Sequence, residues 1–122
     1  VIGALDVALA FWLLGRLPIR PLVRTALTVL IGAGSTLWYA ASLGSTWYFA
    51  HVVAVGLTLA AVGLALDGED REAARDPAAP RPLVEPRQVA AGILLGLAAT
   101  SRLTVAFGLP FLLLVGAGVR EL

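Results

Sequence analysis

The stretch VAAGILLGLAATSRLTVAFGLPFLLLVGAGV, residues 89–119, holds 31 residues and a single charge, Arg102. As one straight helix it would measure roughly 46 Å, about 16 Å more than the hydrocarbon core of a bilayer. It would also carry Arg102 close to the bilayer centre, where an arginine costs about 2.5–3.5 kcal/mol on insertion scales. A break near residues 101–104 removes both difficulties. The expected arrangement is a short helical hairpin, 89–101 and 103–119, with Arg102 at a membrane face. A single tilted helix, kinked at Pro110, is the alternative.

The rest of the chain reads in the same terms. Of its 122 residues 59% are hydrophobic and 14% charged, with a mean hydropathy of +0.90. Soluble domains are about 45–50% apolar and about 25% charged, and a chain this short cannot bury such an excess. A soluble enzyme is therefore excluded, and the expected class is an all-α integral membrane protein. Apolar stretches at 1–15 (interrupted by Asp6), 22–41 and 47–66 join the hairpin to give about five transmembrane segments in one membrane domain. A signal peptide is a poor fit to the first stretch, which has no basic region before it and no Ala-x-Ala site after it.

The chain has no Met, and its first apolar stretch is short for a span. It is therefore expected to be a fragment of a larger protein. The absence of Cys removes disulfides, thiolate metal sites and cysteine nucleophiles. Every basic residue is Arg, which together with the Ala and Gly abundance points to a GC-rich bacterial genome and so to a bacterial plasma membrane. A net charge of +1 offers no electrostatic case for nucleic acid.

Composition changes abruptly at 67–88, which holds four Arg, six Asp or Glu, and Pro77, Pro80, Pro82 and Pro86. This segment is expected to be a solvated loop whose first part, 67–76, extends the preceding helix by two turns. With the hairpin in place, Arg16, Arg20, Arg24, Arg71, Arg75, Arg81, Arg87 and Arg120 fall on one side of the membrane. The positive-inside rule makes that side cytoplasmic, with the 16–24 and 67–88 loops in it. Only Arg102 faces outward. The short outer turn at 42–46 is uncharged and flanked by Trp38, Tyr39, Trp47 and Tyr48, as an interfacial aromatic belt would be.

No His pair, HExxH motif, phosphate-binding loop or nucleophile elbow occurs. Polar side chains at membrane depth are then the candidates for function. Arg102 beside Thr100, Ser101 and Thr104 offers a planar fork and hydroxyls suited to a phosphate, against the plainer role of an interfacial arginine snorkelling to headgroups. His51 lies one turn inside the third span, facing either a polar substrate or a neighbouring helix. Asp6, within the first span, needs a partner or a wet cleft, and Arg102 or a group upstream of residue 1 could supply it. Trp47 and Tyr48 serve the belt or stack on a sugar ring. Gly92-x-x-x-Gly96 with Ala99, and Gly32, Gly34 and Ser35, are small-residue stripes expected to admit close helix contact.

At residues 92–115 the chain reads GILLGLAATSRLTVAFGLPFLLLV. This resembles a recurrent segment of GT-C type membrane glycosyltransferases, including bacterial relatives of the protein mannosyltransferases. Gly92, Gly96, Leu97, Ala98, Arg102 and Pro110 occupy the places of that pattern, and 38–66, with TWYFAHVVAV, resembles the middle helices of such proteins. The resemblance implies an enzyme that passes a sugar from a polyprenyl-phosphate donor to an acceptor at the extracytoplasmic face. Arg102 would meet the lipid phosphate, with His51, Trp47 and Tyr48 near the same cleft and Asp6 a further polar contact. It also implies a catalytic acidic residue in a first extracytoplasmic loop, which is absent from this sequence. No cofactor is expected within this fragment, although some members use a divalent metal. Membrane lipids, the donor and the remainder of the same chain are the implied partners. A transporter or flippase fragment, or a non-catalytic membrane scaffold, would use the same residues differently.

Overall fold

A computed structural model describes residues 1–43, 45–76 and 85–116. Gly44, the segment 77–84 with Pro77, Pro80, Arg81 and Pro82, and the end of the last apolar stretch with Arg120 lie outside the described residues. The fold is all-α: α1 (Ile2–Leu14), α2 (Pro21–Ala33), α3 (Thr36–Leu43), α4 (Thr46–Ala73), α5 (Pro86–Ser101), a 3-10 helix (Leu103–Gly108) and α6 (Leu109–Gly116). No strand occurs among the described residues.

Local chemistry sets the boundaries. Pro21 and Pro86 open α2 and α5, where the missing N–H costs nothing and the fixed φ suits the first turn. Ser45 caps α4, its hydroxyl accepting from the Tyr48 N–H at 3.4 Å. α5 ends where Arg102 turns extended (φ −149°, ψ 113°), within the region that the length argument selects.

Side-chain contacts fix the helix directions. Asp6 faces Gly56, Trp12 faces Gly63 and Arg16 meets Asp67, so α1 runs parallel to α4. Val7 against Gly32 and Arg24 against Phe11 make α2 antiparallel to α1. Arg87 beside Asp67 and Arg102 beside Trp47 make α5 antiparallel to α4. Gly108 then returns alongside Leu95, so the chain reverses after Arg102. The molecule thus has one end where α1 and α4 finish and α2 and α5 begin, and an opposite end bearing the α3–α4 turn and Arg102. Leu37, Ala40 and Val52 form a buried apolar cluster towards the second end, packed on by Ile2, Val7, Ile31, Tyr48 and Val55.

Several expectations need correction. The stretch 22–41 is not one continuous helix. It breaks at Gly34–Ser35 into α2 and α3, bent by 45°. The Ser35 hydroxyl donates to the Ile31 carbonyl at 2.5 Å and accepts from the Leu37 N–H at 3.2 Å, taking over backbone pairing that a continuous helix would keep. The return leg after Arg102 opens as a 3-10 helix rather than an α-helix, becoming α-helical from Leu109. In the charged segment 67–88 the expected extension of the preceding helix is present, α4 reaching Ala73, while α5 starts at Pro86, three residues before the expected 89. Among the described residues α4 alone is a single helix long and apolar enough to cross a membrane, and α2 with α3 passes the same test as a bent pair.

Candidate functional site

Two of the sequence-selected residues meet directly. The Arg102 guanidinium carbon lies 5.2 Å from the Trp47 ring centroid, a cation–π contact between the end of α5 and the first turn of α4. The contact follows from the antiparallel pairing of the two helices, which brings the last residue of one beside the first turn of the other. Arg102 is half-buried, whereas Trp47 is 74% exposed. A guanidinium on an aromatic face keeps its in-plane N–H donors free, and those donors match a carboxylate or a phosphate. No ion pair among the described residues uses Arg102; Arg16, Arg75 and Arg87 form them.

His51 stands one helical turn after Trp47, at the spacing that puts two residues on the same face of α4. It is half-buried, and its ring makes no hydrogen bond among the described residues. Tyr48 points elsewhere: its ring packs edge-on against Tyr39 at 5.6 Å and 86°, and it covers the apolar cluster. Tyr48 therefore belongs to the core and leaves Arg102, Trp47 and His51 as the group at this end.

Asp6 does not pair with Arg102. It is 1% exposed in the α1–α4 contact, where one carboxyl oxygen occupies the space a side chain at Gly56 would fill. Its Oδ2 has no partner among the described residues. Of the two candidate partners for Asp6, Arg102 is out of reach, because α1 packs on the middle of α4 while Arg102 is held at the end of α4 by Trp47. Nothing among the described residues lies against the glycines of the stripe Gly92-x-x-x-Gly96, where a Cβ would meet open space. Close contacts run instead through Gly32 against Val7, Gly56 against Asp6 and Gly63 against Trp12.

The sequence reading missed the opposite end. Asp67, 7% exposed, accepts from Arg16 on one oxygen and from Arg87 at 2.8 Å on the other. Arg16 also stacks on Trp12 at 4.8 Å. Arg24 lies 3.6 Å from the Phe11 ring centroid and donates to the Phe11 carbonyl at 2.8 Å. An acidic residue bordering a span, with arginines on the same side, was the available signal. It was hidden inside a segment whose composition reads as solvated.

No group of three or more His, Cys, Asp or Glu that could hold a metal ion occurs among the described residues. The described residues therefore offer no donor set for the divalent metal that the resemblance allows. A cleft of about 810 Å³ opens between α1, α2, α3 and the start of α4, lined by small and apolar residues with Trp38 and Ser42 at the α3 end. No protein-family model, no curated protein and no solved structure matches this chain.

Proposed function

We propose that this chain is a membrane-embedded helical unit of a glycosyltransferase that uses a polyprenyl-phosphate-linked sugar as donor. The observation that carries the proposal is the Arg102–Trp47 pair, which presents free guanidinium donors at the end of the bundle opposite the Asp67 cluster. In this reading the five apolar segments lie in a bacterial plasma membrane, and the Arg102 end faces outward. The many exposed apolar side chains, among them Leu30, Ile93, Leu103 and Phe107, then meet lipid rather than water. Arg102 binds the donor phosphate, Trp47 supports the guanidinium from below, and His51 lies one turn deeper as a polar contact for the sugar. Asp6 is too far inside the α1–α4 contact to share this role.

The test is transfer from a panel of polyprenyl-phosphate-linked sugars by the complete protein in native membranes. Arg102→Ala is expected to lower turnover by more than tenfold while expression and insertion persist. Arg102→Lys is expected to recover part of the loss, because charge is kept and the fork is not. Wild-type turnover in Arg102→Ala would remove the phosphate role.

The transporter or flippase reading gains one specific observation. Such proteins place discontinuous helices in corresponding positions, and the chain has two breaks, at Gly34–Ser35 and at Arg102. Movement of a polyprenyl-phosphate lipid across vesicles without sugar transfer would favour that reading.

A further inference from the structure

We infer that Arg24, seated on the Phe11 ring, and Arg20 together form a binding site for the phosphate headgroup of an anionic membrane lipid at the Asp67 end of the bundle. Such a site needs the membrane setting proposed above but not the transfer chemistry, and it serves a transferase and a transporter alike.

Three observations support it. First, Arg24 is held in place with donors to spare. Its guanidinium carbon lies 3.6 Å from the Phe11 ring centroid, and its Nε donates to the Phe11 carbonyl at 2.8 Å. Gly15 leaves the room, since a Cβ there would run into the guanidinium. The two Nη groups have no acceptor among the described residues. A fixed, half-buried fork of this kind suits a phosphate. Second, the charge of this corner is not spent elsewhere. Arg20, the exposed N-cap of α2, forms no ion pair among the described residues, and neither does Arg24. The acids at the end of α4 have partners of their own, Asp67 in Arg16 and Arg87, Glu72 in Arg75, and Glu69, Asp70 and Asp76 in further contacts. Glu85 lies against Gly68, on the α5 side of α4. No side chain caps α2, so the N–H groups of its first turn add to the positive potential. Third, the flanking surface is apolar. Leu22 is 80% exposed, and Val23 and Phe11 are exposed as well. Two unpaired arginines bordered by exposed apolar side chains match a phosphate that carries acyl chains better than a free ion. In the orientation proposed above, this end meets the cytoplasmic leaflet, where anionic lipid gives the surface a negative potential.

The test titrates the complete protein, purified in a non-ionic detergent, with short-chain phosphatidylglycerol, with phosphatidylcholine of the same chain length and with inorganic phosphate. Native mass spectrometry reads the bound ligand. Phosphatidylglycerol should bind most tightly. An arginine near an anionic lipid surface contributes about 1 kcal/mol, so Arg20→Gln should weaken this binding about fivefold and Arg24→Gln at least as much. Arg75→Gln, which removes a paired arginine at the same end, should leave it unchanged. Arg24 also ties α2 to α1, so Arg20→Gln decides the matter if Arg24→Gln does not fold. Wild-type affinity in Arg20→Gln overturns the site. So does an equal loss in Arg75→Gln, which would reduce the effect to net charge. Phosphatidylcholine binding as tightly as phosphatidylglycerol would reduce it to apolar contact, and inorganic phosphate binding as tightly would make the ligand a free ion; either result overturns the lipid assignment. None of these readings depends on sugar transfer, so the site can fail while the transferase reading stands.

Discussion

The two ends of the α4–α5 pair use the same residue type for opposite purposes. At one end Arg16 and Arg87 spend donors on the buried carboxylate of Asp67, and the cluster joins three elements. At the other, Arg102 rests on the exposed face of Trp47 and forms no ion pair among the described residues. An arginine with a partnered carboxylate is structural, and removing the carboxylate strands two partly buried cations. An arginine on an aromatic shelf contributes little to stability and keeps its hydrogen-bonding capacity for a ligand. Stability and function should therefore separate along the length of one helix pair.

Asp67→Asn tests this most severely. Breaking a buried ion pair by removing one partner costs about 3–5 kcal/mol, and the part-exposure of both arginines returns some of it to water, leaving an expected loss of about 2–3 kcal/mol. Arg102→Ala should cost no more than about 1 kcal/mol, the range of an exposed cation–π contact. Thermal unfolding of both variants in one detergent gives the comparison directly. Equal losses would erase the distinction between the ends, and a larger loss at Arg102 would reverse it.

The middle of the α1–α4 contact is governed by packing rather than charge. Trp12 sits in the notch left by Gly63, so a methyl group at that position would run into the indole ring. Overpacking of this kind costs about 1–3 kcal/mol, and Gly63→Ala should fall near the middle of that range. Trp12 also supports Arg16, so the substitution should lower the same unfolding transition that Asp67→Asn lowers. Because Trp12 supports Arg16, the double variant should lose less than the sum of the two, and additive losses would show that the notch and the Asp67 cluster are independent.

These differences bear on how far the amino-acid sequence makes the fold legible. The helix end at Ser101 was legible because a 31-residue stretch with one charge is longer than a bilayer-spanning helix needs, and Arg102 marks the cheapest place to stop. The extension of α4 past Asp67 was legible because Glu69, Arg71, Glu72 and Ala73 are good helix formers and no proline occurs before Pro77. The break at Gly34–Ser35 was not, since it depends on a serine hydroxyl taking over backbone pairing inside an apolar run. Nor was the partner of Asp67. A carboxylate 51 positions from one arginine and 20 from another gives no local periodicity to detect. Of the five site residues selected, Trp47 and Arg102 meet, His51 lies one turn deeper on the Trp47 face, and Tyr48 and Asp6 serve other contacts.

The weakest expected effect concerns the glycine pair on which the family resemblance leans. Gly92 and Gly96 lie on an exposed face of α5, and a Cβ at either position would meet nothing. Glycine inside a helix is about 1 kcal/mol less favourable than alanine, so Gly92→Ala and Gly96→Ala should leave stability unchanged or raise it by up to about that amount. A small-residue stripe earns its usual reading only when a second backbone lies against it, and among the described residues none does. The informative outcome is therefore a split one. If both variants unfold at or above the wild-type temperature yet lose transferase activity in the complete protein, this face of α5 receives another part of the assembly. If activity is also unchanged, the Gly-x-x-x-Gly spacing carries no information about function, and the resemblance then rests on Leu97, Ala98, Arg102 and Pro110 together with the stretch 38–66.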